Sequence, residues 1–218
     1  MYGKVVITSA RNFRQFVSTV GDGLKQMFRS SNQTVHLEVP DLAEDGKGNL
    51  IIAPPFVYKD ELTTLVNAEV EKRKLDNRFA SFILRMFEYE SPSANHDGKA
   101  VFINELEGTY RGLGQFSRYS WNLLKKAYPE ILAAPYSAVG VPVENVRAMI
   151  AYLTDSRKVH RNRYNEDILD DFAIAYLYHQ QGASAARTYL VTGELEHPKQ
   201  SGASKELFKE IDYGERYV

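Results

Sequence analysis

The sequence predicts a mainly α protein of the α+β class, and three observations carry that reading. From Lys59 onward, apolar residues recur at i, i+3, i+4 and i+7 in one segment after another, the period of helices with one buried face. Strand-like runs are few and short, at residues 4–8, 34–39, 49–52 and 100–103. The 218 residues are 44% hydrophobic and 25% charged, enough for one large domain or one domain with an appendage.

Composition also excludes several function classes. A formal net charge of −1 gives no electrostatic case for nucleic acid as a partner. Five scattered histidines and no cysteine leave no zinc-type cluster and no disulfide scaffold. The first residues carry neither a long apolar core nor a small-residue cleavage pattern, which predicts no secretory signal peptide. No run approaches the ~18 apolar residues of a membrane span, so no transmembrane segment is expected.

Residues 1–58 form an expected N-terminal region of strand, helix and hairpin. After the strand at 4–8, Phe13, Phe16, Val17, Val20, Leu24, Met27 and Phe28 recur at helical spacing, with Arg11, Arg14, Lys25 and Arg29 mostly off that face. Such a helix docks on a membrane surface or a partner, or packs on its own domain. Gly21 and Gly23 weaken it as a free-standing helix and favour the second. The strands at 34–39 and 49–52, separated by a turn containing Gly46 and Gly48, predict a hairpin. Ala53-Pro54-Pro55 then marks the candidate boundary.

Leu62, Leu65, Val66 and Val70 predict one helix, and Arg78–Glu90 a second. In the second, Phe79, Phe82, Ile83, Met86 and Phe87 make one apolar stripe. At roughly 100° per residue Glu90 falls within about 20° of Phe79, so it continues the stripe, whereas Glu88 points to solvent. Ser91-Pro92 ends the helix, because proline supplies no N–H and disfavours helical geometry before it. Two readings of Glu90 fit. Burial penalises the charged form of a carboxyl group, and a neutral one can serve as a general acid; alternatively, a glutamate at a helix end bends out to water.

The next segment breaks the helical pattern. Asn95-His96-Asp97-Gly98 is a turn signal, and the strand at 100–103 follows. Alternation along an extended chain places Glu105 and Glu107 on one side, either as auxiliary carboxylates facing a cleft or as a solvated loop edge. Gly108, Gly112 and Gly114 come next, before a helix capped by Ser117 or Ser120, and predict backbone that something approaches closely. Gln115 beside them offers both a donor and an acceptor, which suits the hydroxyl and acetamido groups of a sugar. Tyr110, Phe116, Tyr119 and Trp121 supply flat apolar surface, for a ligand or for the core.

A helix ending in Glu90-Ser91, a turn-rich segment, and then Gly112-Leu113-Gly114-Gln115-Phe116 with a tryptophan soon after resembles the soluble lytic transglycosylases and goose-type lysozymes. A later helix supports the resemblance. It starts at Pro142-Val143-Glu144-Asn145, carries Val146, Met149, Ile150 and Leu153 in register, and is similar to the family's Pro-x-x-Asn helix ending in Tyr-Leu. Residues 171–190 then align without a gap on the family's Ala-Tyr-Asn-Ala-Gly stretch and the helix after it. Gly182 stands at that motif's glycine, where a positive φ is cheap. The chain departs from the pattern in having His179 at the motif's tyrosine and Gln180 at its asparagine. Tyr176, rather than Tyr178, shares the apolar face with Phe172 and His179. The Glu90-to-Gly112 spacing is also longer than usual, through an insertion that holds Glu105 and Glu107. The resemblance covers roughly residues 60–195.

What it implies is a lysozyme-like helical domain at 59–195 with a small β element, preceded by the 1–58 region and followed by a polar tail at 196–218, weakly ordered from Glu194. The implied activity is cleavage of the β-1,4 bond between N-acetylmuramic acid and N-acetylglucosamine in peptidoglycan by one catalytic glutamate, Glu90, with no metal or organic cofactor needed. Gln115 and the backbone at Gly114 would position the N-acetyl group, Ser91 is a further candidate for substrate binding, and Tyr176, His179 and Gln180 would line the cleft near Glu90. Glu105 and Glu107 are the candidate auxiliary carboxylates that would hold a water in the lysozyme version. With no export signal, a phage origin fits: the virion would carry the enzyme to the cell wall, and residues 1–58 would dock on other virion proteins. The alternative is a non-catalytic structural virion protein with a lysozyme-like domain. The basic run at 155–163 reads as a solvated connection, or as a contact to an anionic wall polymer or partner.

Overall fold

A computed structural model describes residues 42–44, 50–196, 202–212 and 217, and for 42–44 and 50–52 the strand backbone alone. The strands expected at 4–8 and 34–39, the amphipathic helix across 13–28 and the turn at 45–49 lie outside the described residues. Strand β1 (Leu42–Glu44) pairs antiparallel with β2 (Leu50–Ile52), Leu42 opposite Ile52 and Glu44 opposite Leu50. The hairpin expected around Gly46 and Gly48 therefore has 42–44 as its described first arm, rather than 34–39. Strand β3 (Phe56–Tyr58) pairs antiparallel with β5 (Lys99–Ile103), which pairs on its other edge with β4 (Ser93–His96), giving the order β3-β5-β4. Phe56–Tyr58 thus reaches across the expected division at residue 58.

The rest is mainly helical: α1 (Lys59–Lys72), α2 (Arg78–Glu90), α3 (Arg118–Ala127), α4 (Pro142–Tyr164), α5 (Phe172–Thr192) and α6 (Gly202–Lys209), with a two-residue ribbon of β6 (Tyr110–Arg111) and β7 (Phe116–Ser117) before α3. Among the described residues no helix is long and apolar enough to cross a membrane.

Helix α4 packs against α1, α2, α3 and α5. Val146, Ala148, Met149, Ile150, Ala151 and Leu153 are all fully buried, so it is apolar on most of its circumference, as the axis of a bundle must be. Each of the larger ones, Val146, Met149, Ile150 and Leu153, contributes about 1.5–3 kcal/mol relative to an exposed side chain. Pro142 occupies its first turn and Asn165 closes it at φ 57°.

Two expectations are corrected. The basic run at 155–163 is not a connection but the last turns of α4. Arg157 and Arg161 reach Asp167 at 2.5 and 2.8 Å, and His160 is buried. Nor is the stretch after Glu194 uniformly a weakly ordered tail. Gly202–Lys209 is helical, with Ser204, Leu207 and Phe208 buried at i, i+3 and i+4, a short apolar face that a polar composition conceals.

Candidate active site

Helix α2 places the site. Its stripe of Phe79, Ile83, Met86 and Phe87 is buried, and the chain leaves the helix at Ser91 with extended dihedrals (φ −107°, ψ 127°). Glu90, the last helical residue on the stripe, is thereby held at the bundle's edge, its side chain largely covered. The Ser91 hydroxyl donates to the Leu113 carbonyl at 2.7 Å and ties the helix end to the glycine-rich loop.

That loop is approached by the protein itself. Gly112 has φ 76°, and a Cβ there would lie 2.5 Å from the Val139 carbonyl and 2.6 Å from Asn145 Nδ2, so only glycine fits. Asn145 Oδ1 accepts from the Gly114 N–H at 3.1 Å, and its Nδ2 donates to the Val139 carbonyl. Gln115 itself takes a positive φ of 48°, with Nε2 donating to the Gly112 carbonyl at 2.9 Å. Of the four aromatics here, Phe116 and Trp121 belong to the core, with Trp121 Nε1 donating to Ala134 O at 3.0 Å, whereas Tyr110 and Tyr119 are exposed.

Across from Glu90 stands α5. Asp171 caps it by accepting from Ala173 N and Ile174 N at 2.8 and 3.3 Å, which fixes the rotation that brings Tyr176, His179 and Gln180 to the carboxylate. The Tyr176 hydroxyl donates to Glu90 Oε1 at 2.7 Å, and Gln180 Nε2 donates to the same oxygen at 2.6 Å and to the Tyr176 hydroxyl at 2.8 Å. Burial first, and then the negative charge of Glu90, push the Tyr176 hydroxyl well above the ordinary phenol range, so it remains a donor. His179 Nε2 lies 3.7 Å from Oε1, beyond hydrogen-bonding distance, with its ring edge-on to Tyr152 at 5.0 Å. The helix breaks at Gly182 (φ 76°, ψ 163°), which itself lines the site, and then resumes to Thr192.

Together these elements bound a cleft of about 680 Å³ lined by Glu90, Gln115, Tyr152, His179, Gln180 and Tyr110 among others, within the usual size of ligand sites. Among the described residues, Glu90 is its sole lining carboxylate. Oε1 takes both donations, which leaves Oε2 with no protein partner among the described residues and available to the cleft.

Of the residues singled out from sequence, Glu90, Gln115, Tyr176, His179 and Gln180 come together here, with Ser91 and Gly114 as the backbone beneath them. Glu105 and Glu107 do not. Both are exposed, because the chain after β5 is irregular and strand alternation lapses; Glu105 instead offers its carbonyl to the Gly112 N–H at 2.6 Å. Two contributors stand in the Pro-x-x-Asn helix, to which sequence reasoning gives no site role. Asn145 is a fully buried polar residue in register with Met149, a signal that a specific partner is present. Tyr152 is the tyrosine of the Tyr-Leu pair that ends the motif.

A profile of the Peptidase U40 family matches residues 79–208, more than half of the chain, from the start of α2 through Phe208 of α6. The peptidoglycan hydrolase gp5 of Pseudomonas phage phi6 is 31% identical over 118 residues, 54% of this chain and 53% of that protein. The chain thus spans about half the length of the curated relative it matches.

Proposed function

This chain belongs to the Peptidase U40 family, and from that footing we propose that it degrades peptidoglycan by cutting the MurNAc-β-1,4-GlcNAc bond with Glu90. The observation that carries the reading is the unequal treatment of the two Glu90 oxygens: Oε1 is held by neutral donors and Oε2 is left to the cleft. The peptidoglycan hydrolase of phage phi6 supports the substrate class and a phage setting.

In this reaction the protonated Oε2 gives its proton to the glycosidic oxygen as the C1–O bond breaks, and positive charge grows on the ring that keeps C1. With no second carboxylate lining the cleft among the described residues, Glu90, now charged, takes the proton of that sugar's own 6-hydroxyl. The 6-oxygen bonds to C1, a 1,6-anhydro product leaves, and Glu90 is again protonated. In the hydrolytic variant, water attacks in place of the 6-hydroxyl. Gln115 and the loop backbone at Gly114 hold the N-acetyl group. Residues 1–58 serve as the docking element on a virion; a truncation of residues 1–55 that still enters particles would sink that part.

The description of the family as a peptidase favours a second reading, cleavage of a bond in the peptide stem by the same cleft. Digestion of purified peptidoglycan by wild type and Glu90→Gln, with products read by mass spectrometry, separates the possibilities. Anhydro-muropeptides that vanish in the variant are the expected result, and hydrated reducing ends that vanish assign a lysozyme. New stem termini on intact glycan support the peptidase reading. No product from folded protein across several wall types leaves the structural virion role.

A further inference from the structure

His179 lines the cleft beside Glu90, and its side chain is only 8% exposed. Three aromatic rings box it in: Tyr152 and Phe116 edge-on at 5.0 and 5.8 Å, and Tyr176 tilted at 6.2 Å. Nδ1 is buried with no hydrogen-bond partner among the described residues, and Nε2 stops 3.7 Å short of Glu90 Oε1. A buried polar ring held this firmly with nothing to bond marks a place kept for a ligand. The packing also selects the tautomer. A neutral imidazole carries one N–H, and a buried N–H without an acceptor is rarer than an acceptor without a donor. The proton is therefore assigned to Nε2, the nitrogen on the side of Glu90.

From this geometry we infer that His179 is a catalytic residue that holds, through Nε2–H, the oxygen that attacks C1. The inference rests on the reading of Glu90 as the acid–base group. Oε1 has no place left for His179, because a carboxylate oxygen has two lone pairs and Tyr176 and Gln180 fill them. A gap of 3.7 Å is too long for a direct bond, but it admits one oxygen set about 2.8 Å from the ring nitrogen and from the carboxyl group. In the reaction above that oxygen is the sugar's 6-hydroxyl, or the water of the hydrolytic variant. It has one proton and two lone pairs. The proton points to Oε2, one lone pair accepts from Nε2–H, and the other is left for C1. As the O–C1 bond forms, the proton passes to Oε2 while Nε2 keeps its own. His179 thus aims the attacking oxygen and takes no proton, and it does not orient Glu90, which Tyr176 and Gln180 hold directly.

The test uses the full chain and scores muropeptide release by His179→Phe, His179→Gln and Glu90→Gln. Phenylalanine keeps a ring in the aromatic box and has no donor; glutamine carries an N–H to nearly the place of the histidine Nε2. His179→Phe is expected to lower kcat roughly three- to tenfold, the kinetic equivalent of one hydrogen bond, and His179→Gln to recover most of it. In wild type labelled with 15N-histidine, the ring signal that is missing from His179→Gln should show its proton on Nε2. A proton on Nδ1 overturns the inference, as does a wild-type kcat in His179→Phe. A loss that glutamine does not recover signals packing alone and also overturns it. If Glu90→Gln is inactive in any of these cases, the reading of Glu90 stands and only the role of His179 falls. If wild type releases nothing, or Glu90→Gln matches it, the reading of Glu90 falls and takes the role of His179 with it.

Discussion

Three glutamates in this protein are covered to nearly the same degree, yet the two regions that hold them treat them oppositely. The side chains of Glu69 and Glu144, between α1 and α4, are 9% exposed, and that of Glu90 in the cleft is 10% exposed. Between α1 and α4, Arg147 reaches Glu69 at 3.0 and 3.2 Å and also pairs with Glu144, while Arg73 takes the other side of Glu69. Burial pushes the Glu69 carboxyl up, but the two arginines more than offset it and hold it below its ordinary value. Glu144, with less compensation, is pushed up by burial. In the cleft, Glu90 accepts from a phenol and an amide, with His179 Nε2 3.7 Å away, and no arginine or lysine among the described residues pairs with it. A carboxylate locked to a full cation is committed to structure. The cleft carboxylate instead keeps one oxygen without a protein partner among the described residues, and this separates the α1–α4 pairs from the cleft.

The largest test of that difference is to remove each carboxylate system and score both activity and stability. Glu90→Gln is expected to reduce bond cleavage by roughly 10²–10⁴-fold, the typical worth of a general acid–base group, with the melting temperature close to wild type. Arg147→Ala should do the reverse. It strands Glu144 and half-strands Glu69 in the interior, so urea unfolding should show a loss of about 3–5 kcal/mol, while activity per folded molecule holds. Arg147→Lys keeps the charge but not the fork that spans two carboxylates, and should fall between. If Glu90→Gln proves the more damaging to stability, the distinction collapses.

This contrast also shows how far the sequence could be read. The stripe of α2 pointed to Glu90 because a 3.6-residue period fixes which side chains share a face. The same reading applied to α1 marks Glu69, which lies in register with Leu62 and Val66 and is just as buried. Periodicity reports burial; it does not report the partner. Arg147 lies 78 residues from Glu69, and Tyr176 lies 86 from Glu90, so the feature that separates them is purely tertiary. The helices and the break at Gly182 were legible from local rules. Of the two readings of Glu105 and Glu107, the solvated edge is the one the fold adopts, because both lie exposed on the irregular chain after β5 and outside the cleft lining. The helix at Gly202–Lys209 was hidden by its polar neighbours.

A smaller perturbation is Tyr176→Phe, which takes one of two donors from Oε1 and leaves Gln180. A hydrogen bond to a charged group is worth about 1.5–3 kcal/mol, so cleavage should slow roughly ten- to a hundredfold with little change in substrate affinity. Because Tyr176 titrates far above neutrality, the slowing should not vary with pH between 5 and 9 on its account. A variant that matched wild type would mean that Gln180 alone holds Oε1, and the neutral cradle would reduce to one residue.

The smallest effect lies at the other end of α2, where Arg78 is ringed by carboxylates as Glu90 is ringed by neutral groups. Hydrogen bonds from Arg78, side chain before backbone, hold the Asp76 carboxyl at about 2 instead of its ordinary 3.8. A carboxyl whose value is depressed in the folded state contributes stability that is present above 3.8 and is lost as pH falls toward 2. Asp76→Asn should therefore flatten the fall in melting temperature over that window and leave neutral pH nearly unchanged. Both partners are partly exposed, so the contribution is modest and added salt should shrink it. If the two melting curves stay parallel down to pH 2, the pairing at the start of α2 adds nothing to the folded state. The position of Glu90 at the far end would then rest on the apolar stripe and on α5 alone.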